Sequence, residues 1–172
     1  MTLEEELFGR HRGKSVLLDS NLLLVFLTGA VGAHLFARFK RVNEYTVQDF
    51  ELLVQLLRSF RVLITTPHIL TEVSNLANSL TGTYRRDWFT NFAVLVASEQ
   101  EGARVMESWT PARQLADSPE FVEFGITDSA VVAFASDALV ITDDYRLSGA
   151  LRNRGFDVLN FKDLQAIQRL IQ

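Results

Sequence analysis

Four short runs of branched apolar residues stand out along the chain: Ser15 to Leu18, Arg61 to Thr65, Ala138 to Thr142 and Asp157 to Phe161. Their apolar character is nearly continuous rather than alternating, the pattern of strands covered on both faces within a parallel sheet. Between these runs the spacing becomes helical. Val47 to Phe60 sets Phe50, Leu53, Val54, Leu57 and Phe60 on one stripe, the i, i+3, i+4, i+7 pattern of a core-facing helix. Helices are also expected over Asn21 to Gly29, Ile69 to Leu80 following Pro67, Arg86 to Gln100, Thr127 to Ser136 and Arg146 to Arg154. Gly155 stands where a helix end favours glycine. Strands alternating with helices predict an α/β fold, three layers deep (α/β/α), around a central parallel sheet. Ala30 to Tyr45 and Glu107 to Phe124 carry no clear period.

Composition narrows the picture. The chain has 172 residues, 48% of them hydrophobic, which suits one domain with a substantial core. It has no cysteine, so disulfides, thiol nucleophiles and thiolate metal sites are excluded. The amino end, "MTLEEELFGRHRGK", lacks the apolar stretch of a signal peptide, and no run reaches the roughly 20 apolar residues of a membrane helix. A soluble, cytoplasmic protein without membrane contact is expected. The net charge of -4 disfavours general coating of DNA but leaves room for local basic patches.

The chemistry lies in acids at element ends. "SVLLDSNLLL" sets Asp19-Ser20-Asn21 between two apolar runs, at the point where a strand should become a helix. Glu72 falls in the first turns of the helix in "TTPHILTEVSNLA", Asp128 opens the helix in "GITDSAVVAFAS", and Asp143 and Asp144 follow the strand in "VITDDYRL". In an open parallel sheet the carboxyl ends of strands and the amino ends of the following helices share one edge, where ligands bind. Helix capping accounts for any one of these acids taken alone. It does not account for Glu72 lying inside its helix, nor for two aspartates side by side. Several carboxylates in one cleft resist joint ionisation, and a divalent cation removes that cost. All-oxygen donors without histidine or cysteine point to Mg²⁺ or Mn²⁺.

Taken in order, "VLLDSNLLL", "TTPHILTEVSNLA", "GITDSAVVAFA" and "VITDDYRLSGALRNRGFDVLNF" resemble the PIN-domain nucleases, a group that includes the toxins of many bacterial and archaeal toxin–antitoxin pairs. The likeness runs from about Ser15 to about Phe161 and implies that residues 1–172 form a single PIN-like domain. It implies that Asp19, Glu72 and Asp128 match the first three family acids. The fourth, two residues beyond a strand-ending threonine, matches Asp144, with Asp143 as the alternative. Asn21 occupies a position where the family often has a small polar residue, and Thr142 is placed to orient a ligand or a phosphate.

A metal-dependent endoribonuclease follows, possessing no protein nucleophile, with RNA as substrate and an antitoxin as a partner if the chain is a toxin. A related nuclease of structured RNA or DNA, or a non-catalytic RNA- or protein-binding scaffold, are the alternatives. Arg146, nearest to Asp144, is the leading phosphate contact among Arg38, Lys40, Arg41, Arg85, Arg86, Arg152 and Arg154. "HLFARFKRVNEY" has the composition to stack unpaired bases, although Phe36 and Phe39 fit the core or a second subunit better. The aromatic surplus at Trp88, Phe89, Phe92 and Phe36 suggests a homodimer. His11, His34 and His68 show no ligand spacing.

Overall fold

One continuous parallel sheet organises the chain, and its strand order reverses at the centre. In the computed structural model, which describes residues 2–98 and 104–171, the strands are β1 (Ser15–Leu18), β2 (Val62–Thr65), β3 (Arg104–Glu107), β4 (Leu139–Thr142) and β5 (Val158–Asn160). They lie in the order β3-β2-β1-β4-β5, and every neighbouring pair is parallel. The chain walks outward from β1 to β3 and then returns to the other side of β1 to lay down β4. The strand order therefore reverses between β1 and β4, and it is at such a switch point that parallel α/β sheets form a crevice at their carboxyl edge.

The helices are α1 (Leu3–His11), α2 (Ser20–Val31), α3 (Val47–Leu57), α4 (Pro67–Ala77), α5 (Gly82–Ala97), α6 (Ala112–Ala116), α7 (Glu120–Ala133), α8 (Tyr145–Asn153) and α9 (Phe161–Ile171). They flank the sheet in the expected α/β/α arrangement. Four strands were legible as apolar runs; β3, with polar residues at both ends, was not. Helix α8 ends as anticipated: Gly155 adopts φ 79°, and the Phe156 N–H reaches back to the Leu151 carbonyl at 3.0 Å. Glu99 and Gln100, the end of the stretch expected to continue α5, lie outside the described residues.

The central strands are buried as their composition requires, with Leu17, Leu139, Val140 and Ile141 wholly inaccessible. Helix α2 packs against α3, α4 and α5. Trp88 on α5 is fully buried there and donates its indole N–H to the Thr28 hydroxyl at 3.2 Å. Phe36 and Phe39 are also core residues, and Phe89 and Phe92 pack partly buried beside Trp88. The aromatic surplus that suggested a dimer is thus largely spent inside the domain. Among the described residues no helix is long and apolar enough to cross a membrane.

The segment between α2 and α3 opens with a short 3-10 helix, Ala33–Leu35, and continues by repeated tight turns. The N–H groups of Phe39, Val42 and Tyr45 bond to the carbonyls of Leu35, Phe39 and Val42 at 2.8, 3.0 and 3.0 Å. These three- and four-residue steps keep Leu35, Phe39, Val42 and Tyr45 turned inward, all buried. The last of them reaches the carboxyl edge of the sheet.

Gly29 sits in α2 where the Phe50 ring of α3 closes against it; an added Cβ would lie 2.2 Å from Phe50 Cδ2. Alanine gains about 1 kcal/mol in helix propensity, while overpacking of this kind costs about 1–3 kcal/mol. Gly29→Ala is accordingly expected to lower stability in urea unfolding, against the trend set by propensity.

Candidate functional site: an acidic rim at the strand-order switch point

Asp19 follows β1 and caps α2, its Oδ1 accepting the Leu22 N–H at 2.8 Å. Its Oδ2 accepts the Asp143 N–H at 3.0 Å and a short hydrogen bond from the Thr142 hydroxyl. Three donors therefore hold a carboxylate that is only 5% exposed. Such donors favour the charged form. Burial, and after it the charge of Asp143, outweigh them and push the Asp19 pKa up to about 8.

Thr142 is the hinge of this arrangement. Wholly buried at the end of β4, its oxygen donates to Asp19 and accepts the Asp144 N–H at 3.0 Å. One hydroxyl thus links the end of β1 to the turn that carries both later aspartates. Asp143 is buried as well. It accepts from Asn21 Nδ2 at 3.3 Å and, through a short contact, from the Tyr45 hydroxyl. That phenol is held strongly in its protonated form by burial first and by its bond to Asp143 second. Asp144, half-buried, caps α8 with Oδ1 on the N–H groups of Arg146 at 2.6 Å and Leu147 at 3.2 Å. Its other oxygen is not used in capping.

Asp128 arrives by a different route. Helix α7 is broken at Gly125 (φ 78°, ψ −174°), and Asp128 lies in the first turn beyond the break. Prediction of a new helix at Thr127 sensed this second half; the first half, from Glu120, was not legible. The Asp128 carboxylate has no hydrogen-bond donor among the described residues. Burial, then the charges of Glu72, Asp144 and Asp143 in that order, push its pKa up to about 6. Glu72 is held from one side, accepting the Ser20 hydroxyl at 3.0 Å.

Helix α4 explains why Glu72 is inside a helix. Thr66 caps it, with Pro67 at the first helical position. Ile69, Val73 and Ala77 form a wholly buried apolar stripe. His68, Thr71, Glu72 and Asn75 repeat at i, i+3, i+4 and i+7 and form a second, polar stripe. Glu72 belongs to this second face, which opens on the rim.

The structure thus brings Asp19, Asn21, Glu72, Asp128, Thr142, Asp143 and Asp144 to one edge. The Arg146 guanidinium pairs with exposed Glu123 at 3.2 Å and lies over the Phe124 ring. Two residues escaped sequence reading. Ser20 stood in plain view within the Asp19-Ser20-Asn21 triplet, whereas Tyr45 gave no local signal. Among the described residues no group of three or more histidine, aspartate or glutamate side chains is gathered as a metal-holding cluster. The carboxylates share a rim without meeting at a point. Neither protein-family models nor curated proteins match this chain.

Both raised aspartates bind protons more tightly in the fold than in the unfolded chain, where 3.8 is ordinary. Their stabilising contribution is complete below that value and is lost as pH rises through about 6 for Asp128 and about 8 for Asp19. In EDTA the melting temperature should therefore fall from about pH 5 to about pH 8, and Asp128→Asn should recover roughly 1–3 kcal/mol at the upper end. Calorimetry across that range checks the sign. Thr142→Val removes a donor from Asp19 and an acceptor from the Asp144 N–H, and should cost about 1–3 kcal/mol in chemical unfolding.

Proposed function

We propose that this chain is a PIN-like, Mg²⁺- or Mn²⁺-dependent endoribonuclease of the cytoplasm. The observation that carries the reading is Asp128: a partly buried carboxylate with no hydrogen-bond donor among the described residues, facing charge from Glu72, Asp144 and Asp143. Such a group lacks a compensating positive charge. Asp19, Glu72, Asp128 and Asp144, with Asp143 beside them, offer only oxygen donors, the chemistry that Mg²⁺ and Mn²⁺ take. A bound cation supplies Lewis-acid polarisation of a phosphate and acidifies water.

The chain's own residues supply the rest. Thr142 and the Asp143 N–H fix the orientation of Asp19. Tyr45 and Asn21 do the same for Asp143. Ser20 holds one oxygen of Glu72, leaving the other to orient an attacking water and accept its proton. Hydrolysis then forms a bond from that water oxygen to phosphorus and breaks the bond to the leaving ribose oxygen, which takes a proton from solvent water. An inhibitory partner covering the rim, in the manner of an antitoxin, is compatible with this reading.

A second reading has its own support. Asp19 and Asp143 are already served by protein donors, and the described acids do not form a ready cluster, as suits a non-catalytic PIN-like scaffold. A nuclease assay with added Mn²⁺, run on single-stranded RNA, duplex RNA and flapped DNA, separates the two. The enzyme reading expects cleavage of single-stranded RNA that drops by roughly 10²-fold or more in Asp19→Asn and Asp128→Asn. Variants that cut as fast as the parent would remove these acids from the chemistry. Tyr45→Phe, which keeps the ring and loses the bond to Asp143, should cost about 10–100-fold and raise the Mn²⁺ concentration needed for half-maximal rate.

A further inference from the structure

A groove of about 620 Å³ opens beside the acidic rim, with Glu72 in its wall. One side is the polar stripe of α4, His68, Thr71 and Asn75, and the other is Ile126 and Thr127 just beyond the break in α7. Arg41 stands at its border and makes no ion pair among the described residues. Its volume lies within the range of small-molecule sites. Two features go beyond an incidental depression. His68 lines the groove and makes no hydrogen bond from either ring nitrogen among the described residues; its Nδ1 is buried without a partner. Ile126, 37% exposed, sets an apolar side chain opposite the polar stripe.

We infer that this groove binds the base and sugar of an unpaired ribonucleotide adjoining the phosphate to be cut, with His68 and Asn75 reading the base edge and Arg41 meeting the next phosphate. The inference rests on the nuclease reading above and adds to it a site of nucleotide preference. The chemistry of the walls matches the parts of such a ligand. Ile126 offers an apolar surface to the face of a base, as pockets for unstacked bases do. His68, Thr71, Asn75 and Thr127 supply donors and acceptors for base edge and ribose hydroxyls. The Arg41 guanidinium matches a phosphate by charge and planar geometry. Inorganic phosphate would need Arg41 alone; the groove's other polar groups call for a larger ligand. A base paired in a helix would keep its edges and faces engaged, so the substrate here is single-stranded.

The test uses the whole protein in EDTA, with AMP, CMP, GMP, UMP or inorganic phosphate added and the His68 imidazole and the amides of Thr71 and Asn75 followed by NMR. At least one nucleotide is expected to shift these signals saturably while inorganic phosphate does not. His68→Leu and Asn75→Ala, each shown to melt like the parent, should weaken that nucleotide about tenfold, the worth of one hydrogen bond. With Mn²⁺ the same variants should raise KM and flatten the preference at the position next to the cut, with kcat kept. The inference is overturned if no nucleotide shifts these signals, if inorganic phosphate shifts them equally, or if both variants bind as the parent does. RNA cleavage without nucleotide binding in the groove would sink the groove and spare the nuclease; nucleotide binding by a protein that cuts no RNA would do the reverse.

Discussion

A carboxylate buried at the end of a central strand is the constraint around which this fold is arranged. Asp19 is 5% exposed and must be supplied with donors, and it draws them from its own helix and from the end of β4. Those donors cross the line where the strand order reverses. The register of β1 against β4, with Leu18 opposite Ile141, carries Asp19 level with Thr142. Shifting β4 by one residue would turn Thr142 to the opposite face of the sheet and leave Asp19 without its hydroxyl donor. The same hydroxyl fixes the turn bearing Asp143 and Asp144, so the positions of three acids depend on one strand pairing.

Around that pair, separate parts of the chain contribute groups by means suited to each. Helix α4 divides into an apolar face that anchors it and a polar face that presents Glu72. Helix α7 breaks at Gly125, where a positive φ lets the chain restart and bring Asp128 toward Glu72. The turns between α2 and α3 deliver Tyr45 to Asp143 by burying Phe39 and Val42 on the way. Each acid is thereby anchored by packing some distance from its carboxylate. That packing sustains both the burial of the acids and their mutual repulsion; burial first, and the neighbouring carboxylates second, raise the pKa values of Asp19 and Asp128.

Sequence reading went furthest where structure is local. Continuous apolar runs located β1, β2, β4 and β5, and helical stripes located α3 and α4, because both patterns record burial within a few residues. The acids were legible for the same reason: each interrupts such a pattern at its end. Strand β3 escaped because Arg104 and Glu107 flank an apolar pair too short to read as a run, and α1 because its apolar residues are few among charges. Pro111 and Pro119 read as signs of irregular chain, yet each stands directly before a helix. Tyr45 lay beyond any local pattern, since its partner Asp143 is 98 residues away. Choosing between Asp143 and Asp144 was likewise a question of tertiary contacts: the first is locked to Tyr45 and Asn21, while the second keeps an oxygen clear of its cap.

Whether the rim exists to hold a cation is answered most directly by a crystal soaked in Mn²⁺ and measured for anomalous scattering. A peak is expected, bonded to oxygens of Asp128 and of at least two among Asp19, Glu72, Asp143 and Asp144. A well-diffracting soak with no peak at that edge, or with Mn²⁺ held only elsewhere on the protein, would contradict it.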